Sequence, residues 1–176
     1  KREPERNIGI FALFVSFFPV LLAGPIERST TLLPQFYREV EYDYDRFTNG
    51  LKLIAWGLFQ KLVIAERIGM YMGPLHNNPE MFRGLPLLMG IYLYPIQVYC
   101  DFAGYTDVAI GTAQVLGFKL MENFRRPFIA LSLAEMWRRW HITLISWIRD
   151  YVYIPMGGNR VAKWRHYVNI LVIFTL

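Results

Sequence analysis

The sequence predicts an all-α chain embedded in a membrane, and three observations carry that reading. Residues 7–26 hold no formal charge over 20 positions, and residues 84–100 hold none over 17. A membrane-spanning helix needs about 20 mostly apolar residues, or about 17 at the short end. Hydrophobic residues make up 54% of the chain, and the mean hydropathy of +0.23 is high for a soluble domain that also carries 19% charge; the two charge-free runs show that the charges are not spread evenly. The third observation is the run SLAEMWRRWHITLISWIRDYVYIPMGG at 132–158, which repeats apolar residues at helical spacing.

Residues 8–24 read as the first apolar segment, with Pro19 expected to bend it. Gly24 and Pro25 end it and open a polar connection to Gly50. Phe36, Tyr37, Tyr42, Tyr44 and Phe47 in that connection suit an interfacial aromatic belt. Residues 51–72 read as a helix carrying Lys61 in mid-segment, so that side chain is expected to face protein or water rather than lipid. Residues 73–84, with Pro74 and Asn78-Pro79, read as a loop. Residues 85–118 are long enough for one tilted helix or two short ones, which leaves the number of crossings open. Asp101 and Asp107 sit inside this apolar stretch. An intramembrane carboxylate is costly, so each is expected to brace the fold through a partner or to border a polar tunnel.

The 132–158 run is expected to be one amphipathic helix. Ser132 and Glu135 have the spacing of a capping box. Leu133, Trp137, Trp140, Leu144, Trp147 and Tyr151 recur at steps of three and four, giving one wide aromatic face. Glu135 is spaced to pair with Arg138 or Arg139 one turn on, and Pro155 with Gly157-Gly158 stops the helix. His141 lies in the middle. It is either a packed histidine on a core or membrane-surface helix, or a functional one.

The net charge of +5 is concentrated. Between Lys119 and Arg165 nine basic residues face three acidic ones, a surplus that marks a cytoplasmic segment lying against anionic headgroups. No nucleic-acid-binding motif accompanies it, and no nucleic-acid partner is expected. The single cysteine, Cys100, excludes an intramolecular disulfide and a cysteine zinc site. Both ends read as cut, so residues 1–176 are expected to be a single fragment of a larger membrane domain. The apolar run that opens at His166 is taken as the first half of another helix.

Chemically, a histidine near working pH can act as a general base on a hydroxyl, and nearby arginines can hold phosphates or developing negative charge. Ser146 is five residues from His141, and neither GxSxG nor HExxH is present. From spacing alone the chemistry stays open: Lys61, Asp101 and Asp107 beside a tunnel suit a transporter or channel equally well.

Resemblance narrows the choice. The runs NFRRPF at 123–128, EMWRRWH at 135–141 and WIRDYVYIPMGGN at 147–159 resemble the membrane-bound O-acyltransferase family. Within it they resemble the bacterial alginate O-acetyltransferase branch, which includes peptidoglycan O-acetyltransferases and is related to the D-alanyl transfer protein of teichoic acids. Phe18-Pro19, residues 23–28 and residues 99–111 resemble the same branch. The resemblance implies a multi-pass transmembrane helical bundle with re-entrant or amphipathic helices. It also implies a bacterial inner-membrane enzyme moving an acyl group, acetyl in this branch, to hydroxyls of an extracytoplasmic polysaccharide. His141 matches the first of two family histidines; the second, in a Trp-His-Gly motif, is expected beyond Leu176, and the fragment alone is expected to be inactive. Asp101, Arg138, Arg139 and Asp150 are supporting candidates. Met136 stands where an aromatic residue is common. No metal and no tightly bound cofactor is implied. The donor would be an acyl thioester, acetyl-CoA or an acyl carrier, and a periplasmic or extracellular partner would finish the transfer. A non-catalytic scaffold for a separate transferase is the remaining alternative.

Overall fold

The computed structural model describes residues 5–175, and among them every regular element is helical. The chain divides after Met121 into two compact units.

The first unit opens with α1 (Ile8–Val15), capped by Asn7, whose side-chain oxygen accepts from the Gly9 and Ile10 N–H groups at 3.0 and 3.2 Å. Residues 8–24 were expected as one segment bent at Pro19, but the chain breaks earlier. Ser16 closes α1, and α2 (Phe18–Leu21) restarts with Pro19 in its first turn. Proline has no N–H to give the preceding turn, and a helix start is where that loss costs least.

The expected connection to Gly50 holds a further helix, α3 (Ser29–Phe36), and α4 (Tyr44–Leu58) starts early because Asp43 caps it through the Arg46 N–H at 2.9 Å. A seven-residue π-helical stretch, Phe59–Ala65, joins α4 to α5 (Glu66–Asn77) without interruption. The expected loop therefore shrinks, and Gly73 and Pro74 are helical. Residues 85–118, left as one helix or two, form one: α6 (Leu85–Val115), 31 residues long. It ends where Gly117 turns left-handed at φ 92°, letting Phe118 N–H bond back to Ala113 O at 2.8 Å.

What joins α4 to α6 is glycine. A Cβ on Gly57 would lie 2.6 Å from the Gly104 carbonyl oxygen, and one on Gly50 would lie 2.9 Å from the Gly111 carbonyl oxygen. The pairing 50 with 111 and 57 with 104 makes the two helices antiparallel. At the far end of α6, Phe17, Leu32, Ala113 and Leu120 are buried together. The Phe17, Phe36 and Phe118 rings meet edge to face at 5.2–5.4 Å. Gln35 clasps Lys119 from both sides, donating to its carbonyl at 2.9 Å and accepting its N–H at 2.8 Å. Glu27 accepts the Met121 N–H at 2.6 Å.

The second unit comprises residues 122–126, a 3-10 turn (Pro127–Ile129), α7 (Leu133–Arg139), α8 (Ile142–Ile148), a π turn (Arg149–Tyr153) and α9 (Lys163–Thr175). The single helix expected over 132–158 is thus broken at Trp140-His141. In an unbroken helix the Ile142 and Thr143 N–H groups would bond to the carbonyls four residues back. Instead Ile142 N–H bonds to Asn123 O at 2.8 Å, Arg139 O accepts from Arg125 N–H at 2.9 Å, and His141 sits left-handed at φ 40°. The segment 123–125 has taken bonds that would have continued the helix. Pro155 and the two glycines do stop the run, with Gly157 and Gly158 both at positive φ. Asn169 of α9, fully buried, holds that turn by donating to Met156 O at 3.3 Å and Gly158 O at 3.2 Å.

Among the described residues no helix is both long and apolar enough to cross a membrane by itself. The first apolar run is split in two, and α6 mixes its apolar residues with Gln97, Asp101, Thr106 and Asp107. Large apolar side chains are nonetheless widely exposed, among them Leu22, Ile91 and Leu171.

The glycine contacts generate a test. Gly57→Ala is expected to destabilise the protein by about 1–3 kcal/mol through forced separation of α4 and α6, whereas Gly73→Ala, where a Cβ meets nothing within 4 Å, is expected to be neutral or slightly stabilising. Thermal unfolding of the two purified variants checks this, and equal midpoints would remove the close-packing argument.

Candidate functional site

Asn123 organises the second unit's site. It is 1% exposed, and it caps α8 from another segment: its backbone carbonyl takes the Ile142 N–H and its side-chain oxygen takes the Thr143 N–H at 3.4 Å. His141, the residue at the N-cap position, supplies no side-chain cap of its own. The same Asn123 Oδ1 accepts the Thr143 hydroxyl at 2.9 Å and meets His141 Nδ1 at 2.9 Å.

That geometry selects a tautomer. A backbone N–H can only donate, so the atom facing Thr143 N is the amide oxygen rather than the NH2 group. His141 must then present a proton on Nδ1, and in the neutral ring Nε2 carries the lone pair. The imidazole is half-buried, and burial holds its pKa below the ordinary 6.5. The neutral form is therefore the one present at neutral pH.

His141 lines a largely apolar pocket of about 470 Å³ with Trp137, Trp140, Leu144, Tyr153 and, at its polar side, Arg149. Trp140 is fixed by edge-on contact with Phe124 at 5.2 Å. Asp150 pairs with Arg149 at 2.9 Å and thereby adjoins the pocket. Arg138 and Arg139 line a separate polar cleft with Arg125 and Arg126. Arg139 pairs with Glu135 at 2.5 Å, one of the two pairings that the spacing left open. The capping box is only half formed: Ser132 Oγ accepts the Glu135 N–H at 3.2 Å, but the Glu135 carboxylate reaches Leu131 N–H instead of Ser132. That bond and the nearby arginines hold its carboxyl below the usual range.

Asp101 belongs to the first unit. It forms an ion pair with Lys61, which also lies over the Tyr105 ring at 4.4 Å. Lys61 does face protein, and its place in the π-helical stretch brings it to Asp101. Asp107 accepts from the buried Gln60 side chain at 2.6 Å. Both aspartates are braced. His76 and His166 are at helix ends, bonded to Met72 O at 3.1 Å and Tyr153 Oη at 3.2 Å. Among the described residues no three His, Cys, Asp or Glu side chains are grouped to hold a metal ion.

Sequence reasoning missed Asn123 and Thr143 as site residues. Asn123 was visible only as part of a motif, and nothing in its spacing links it to a residue 18 positions away.

The model of the membrane-bound O-acyltransferase family matches residues 7–176. The chain belongs to that family. It is 39% identical over 171 residues to a probable alginate O-acetylase of Pseudomonas putida, covering 97% of this chain and 35% of that protein. It is 39% identical over 169 residues to a peptidoglycan O-acetyltransferase of Helicobacter pylori, covering 94% of this chain and 32% of the relative. A teichoic acid D-alanyltransferase of Bacillus subtilis is 34% identical over 146 residues, 80% of this chain and 36% of the relative. The chain thus spans about a third of the length of these curated relatives.

A pH test follows from the buried imidazole. A histidine whose folded pKa is depressed contributes stability above its unfolded pKa that is lost as pH falls through that value. The thermal midpoint of the protein is expected to drop below about pH 6.5 more steeply than that of His141→Gln. Parallel curves would show that the ring carries no such penalty.

Proposed function

We propose that the protein is a multi-pass bacterial membrane O-acyltransferase that moves an acyl group, acetyl by preference, from a thioester donor to hydroxyls of an extracytoplasmic polysaccharide. The observation that carries the site assignment is Asn123 Oδ1 bonded to His141 Nδ1 with the Thr143 N–H fixing the amide. Family membership supports the reaction class, and the names of the relatives support a glycan or cell-wall acceptor. The exposed apolar side chains of α1, α4 and α6 suit contact with lipid, and residues 119–165 are assigned to the cytoplasmic side by their basic surplus.

In the transfer, the acceptor oxygen bonds to the thioester carbonyl carbon, the carbon–sulfur bond breaks, and the hydroxyl proton leaves to end on the departing thiol. His141 Nε2 is an acceptor for that proton or for the hydrogen bond that precedes its movement. Asn123 acts through His141 and is a positioning residue: it keeps the proton on Nδ1 and the ring orientation fixed, as an outer partner does for a working imidazole. A second histidine in a Trp-His-Gly motif, outside these residues, would complete the site. The acceptor glycan is delivered outside the membrane, where a partner protein receives or presents it.

The test is O-acetyl ester content of cell polysaccharide with the wild-type protein and with variants at matched membrane levels. His141→Ala is expected to lower it about 100-fold or more. Asn123→Asp is expected to keep substantial activity while moving the acid limb of the pH profile upward, because a carboxylate beside Nδ1 favours the imidazolium. Unchanged acetylation in His141→Ala would end the assignment of chemistry to this histidine, and an unmoved pH profile in Asn123→Asp would end that of Asn123.

A further inference from the structure

Within the first unit, α5 and α6 enclose a cavity of about 350 Å³ that shares no residue with the His141 pocket. Gly69, Gly73 and His76 of α5 line it opposite Tyr94, Gln97 and Asp101 of α6, each set spaced by three, four or seven positions along its helix. Glycine makes the space. A Cβ on Gly73 would meet nothing within 4 Å, so that position opens the cavity. One on Gly69 would come to 3.0 Å from the Gln97 amide nitrogen, so the missing side chain seats that amide against α5.

The polar groups on these walls are only partly used. Asp101 gives Oδ1 to Lys61, and its Oδ2 has no partner among the described residues. His76 Nδ1 lies 3.1 Å from the Met72 carbonyl oxygen. A carbonyl can only accept, so the proton is on Nδ1 and the neutral ring offers Nε2 as an acceptor. The half-buried Gln97 amide makes no hydrogen bond among the described residues, and it can both donate and accept. The backbone adds an independent sign. The π-helical stretch Phe59–Ala65 carries Lys61 to Asp101, and π turns gather at functional sites.

Charge and donor type restrict what fits. Lys61 neutralises Asp101, and among the described residues no lysine or arginine lines the cavity, so an anion meets no counter-charge. Among the same residues His76 and Asp101 are its only His, Cys, Asp or Glu side chains, too few to hold a metal ion. A hydroxyl matches every group present: it donates to the carboxylate and the imidazole and accepts from the amide. Tyr94, edge-on to His76 at 5.5 Å, and Phe102 add aromatic wall for the C–H face of a ring. Ligand cavities run from about 300 to 1,000 Å³, and this one is at the small end. We propose that it binds one neutral sugar ring of a glycan chain, with Gln97 and Asp101 as hydrogen-bonding residues and Tyr94 as the stacking wall, so that the glycan is held at a place other than the His141 pocket. This rests on the acyl-transfer reading.

The test uses the whole protein in nanodiscs of neutral phosphatidylcholine, titrated with methyl β-D-glucopyranoside and with the corresponding methyl glucuronide, and read by saturation-transfer NMR. The glucoside is expected to bind saturably and at least about fivefold more tightly than the glucuronide, whose carboxylate finds no cation. Gln97→Leu is expected to weaken glucoside binding about fivefold or more, the equivalent of one lost hydrogen bond. Gly73→Leu is expected to abolish it while the thermal midpoint stays the same or rises, because the added side chain enters open space on a helix. No saturable glucoside binding, equal affinity for the two probes, or binding that survives Gly73→Leu overturns the proposal. A wild-type protein that forms acyl esters in cells yet binds no glucoside overturns this cavity alone and leaves the acyl-transfer reading standing. Glucoside binding that follows the expected pattern in a protein that forms no acyl ester supports the sugar site and overturns that reading instead.

Discussion

The second unit depends on one amide. Asn123 receives two N–H groups at the start of α8, a hydroxyl, and the imidazole of His141, all while nearly excluded from solvent. A buried acceptor shared by several donors is worth more in place than its individual bonds suggest, because removing it weakens all of them at once. Its own NH2 group, by contrast, is buried with no partner among the described residues. Flipping the amide would aim that group at the Thr143 N–H, donor against donor, so the unpaired NH2 is the lesser cost. The helix break, the left-handed histidine and the chosen tautomer are then one event seen from three sides.

The two units handle polarity differently. In the first, Lys61 and Asp101 neutralise each other, and Gln60 occupies Asp107. These side chains are consumed by one another, which is how charge is tolerated in an apolar setting. In the second, the arginines outnumber the acids, and the histidine is held neutral by burial. The first unit pairs off these charges, whereas the second keeps a surplus of positive charge.

How much of this was legible in the sequence varies by residue. The helical class, a helix over 51–72, the pairing of Glu135 with one of the two arginines a turn on, and the need for Lys61 to avoid lipid all follow from local spacing and from the cost of buried charge. His141 stood out by its surroundings of tryptophan and arginine. The break at Trp140-His141 did not, because the pattern from Leu133 to Tyr151 satisfies helical periodicity without a gap. Periodicity records which side chains share a face; it does not record a distant segment that competes for backbone bonds. Helix α3 was hidden for a related reason. Its sequence carries Pro34 and few apolar residues, and it is held by contacts such as the Gln35 clasp on Lys119, 84 positions away. Residues 8–24 show the reverse case, where composition suggested one segment and a single missing proline N–H divided it.

The glycine rows of α4 and α6 have a consequence for where the protein can be stable. Surfaces joined by large apolar side chains hold together in water because water is expelled, and they lose that advantage when lipid tails surround them. Two backbones brought within reach of each other's carbonyls rely on dispersion and weak Cα–H contacts, neither of which depends on the solvent being water. A joint built this way keeps its strength in oil. It also sacrifices little side-chain freedom on forming, since glycine has none to lose.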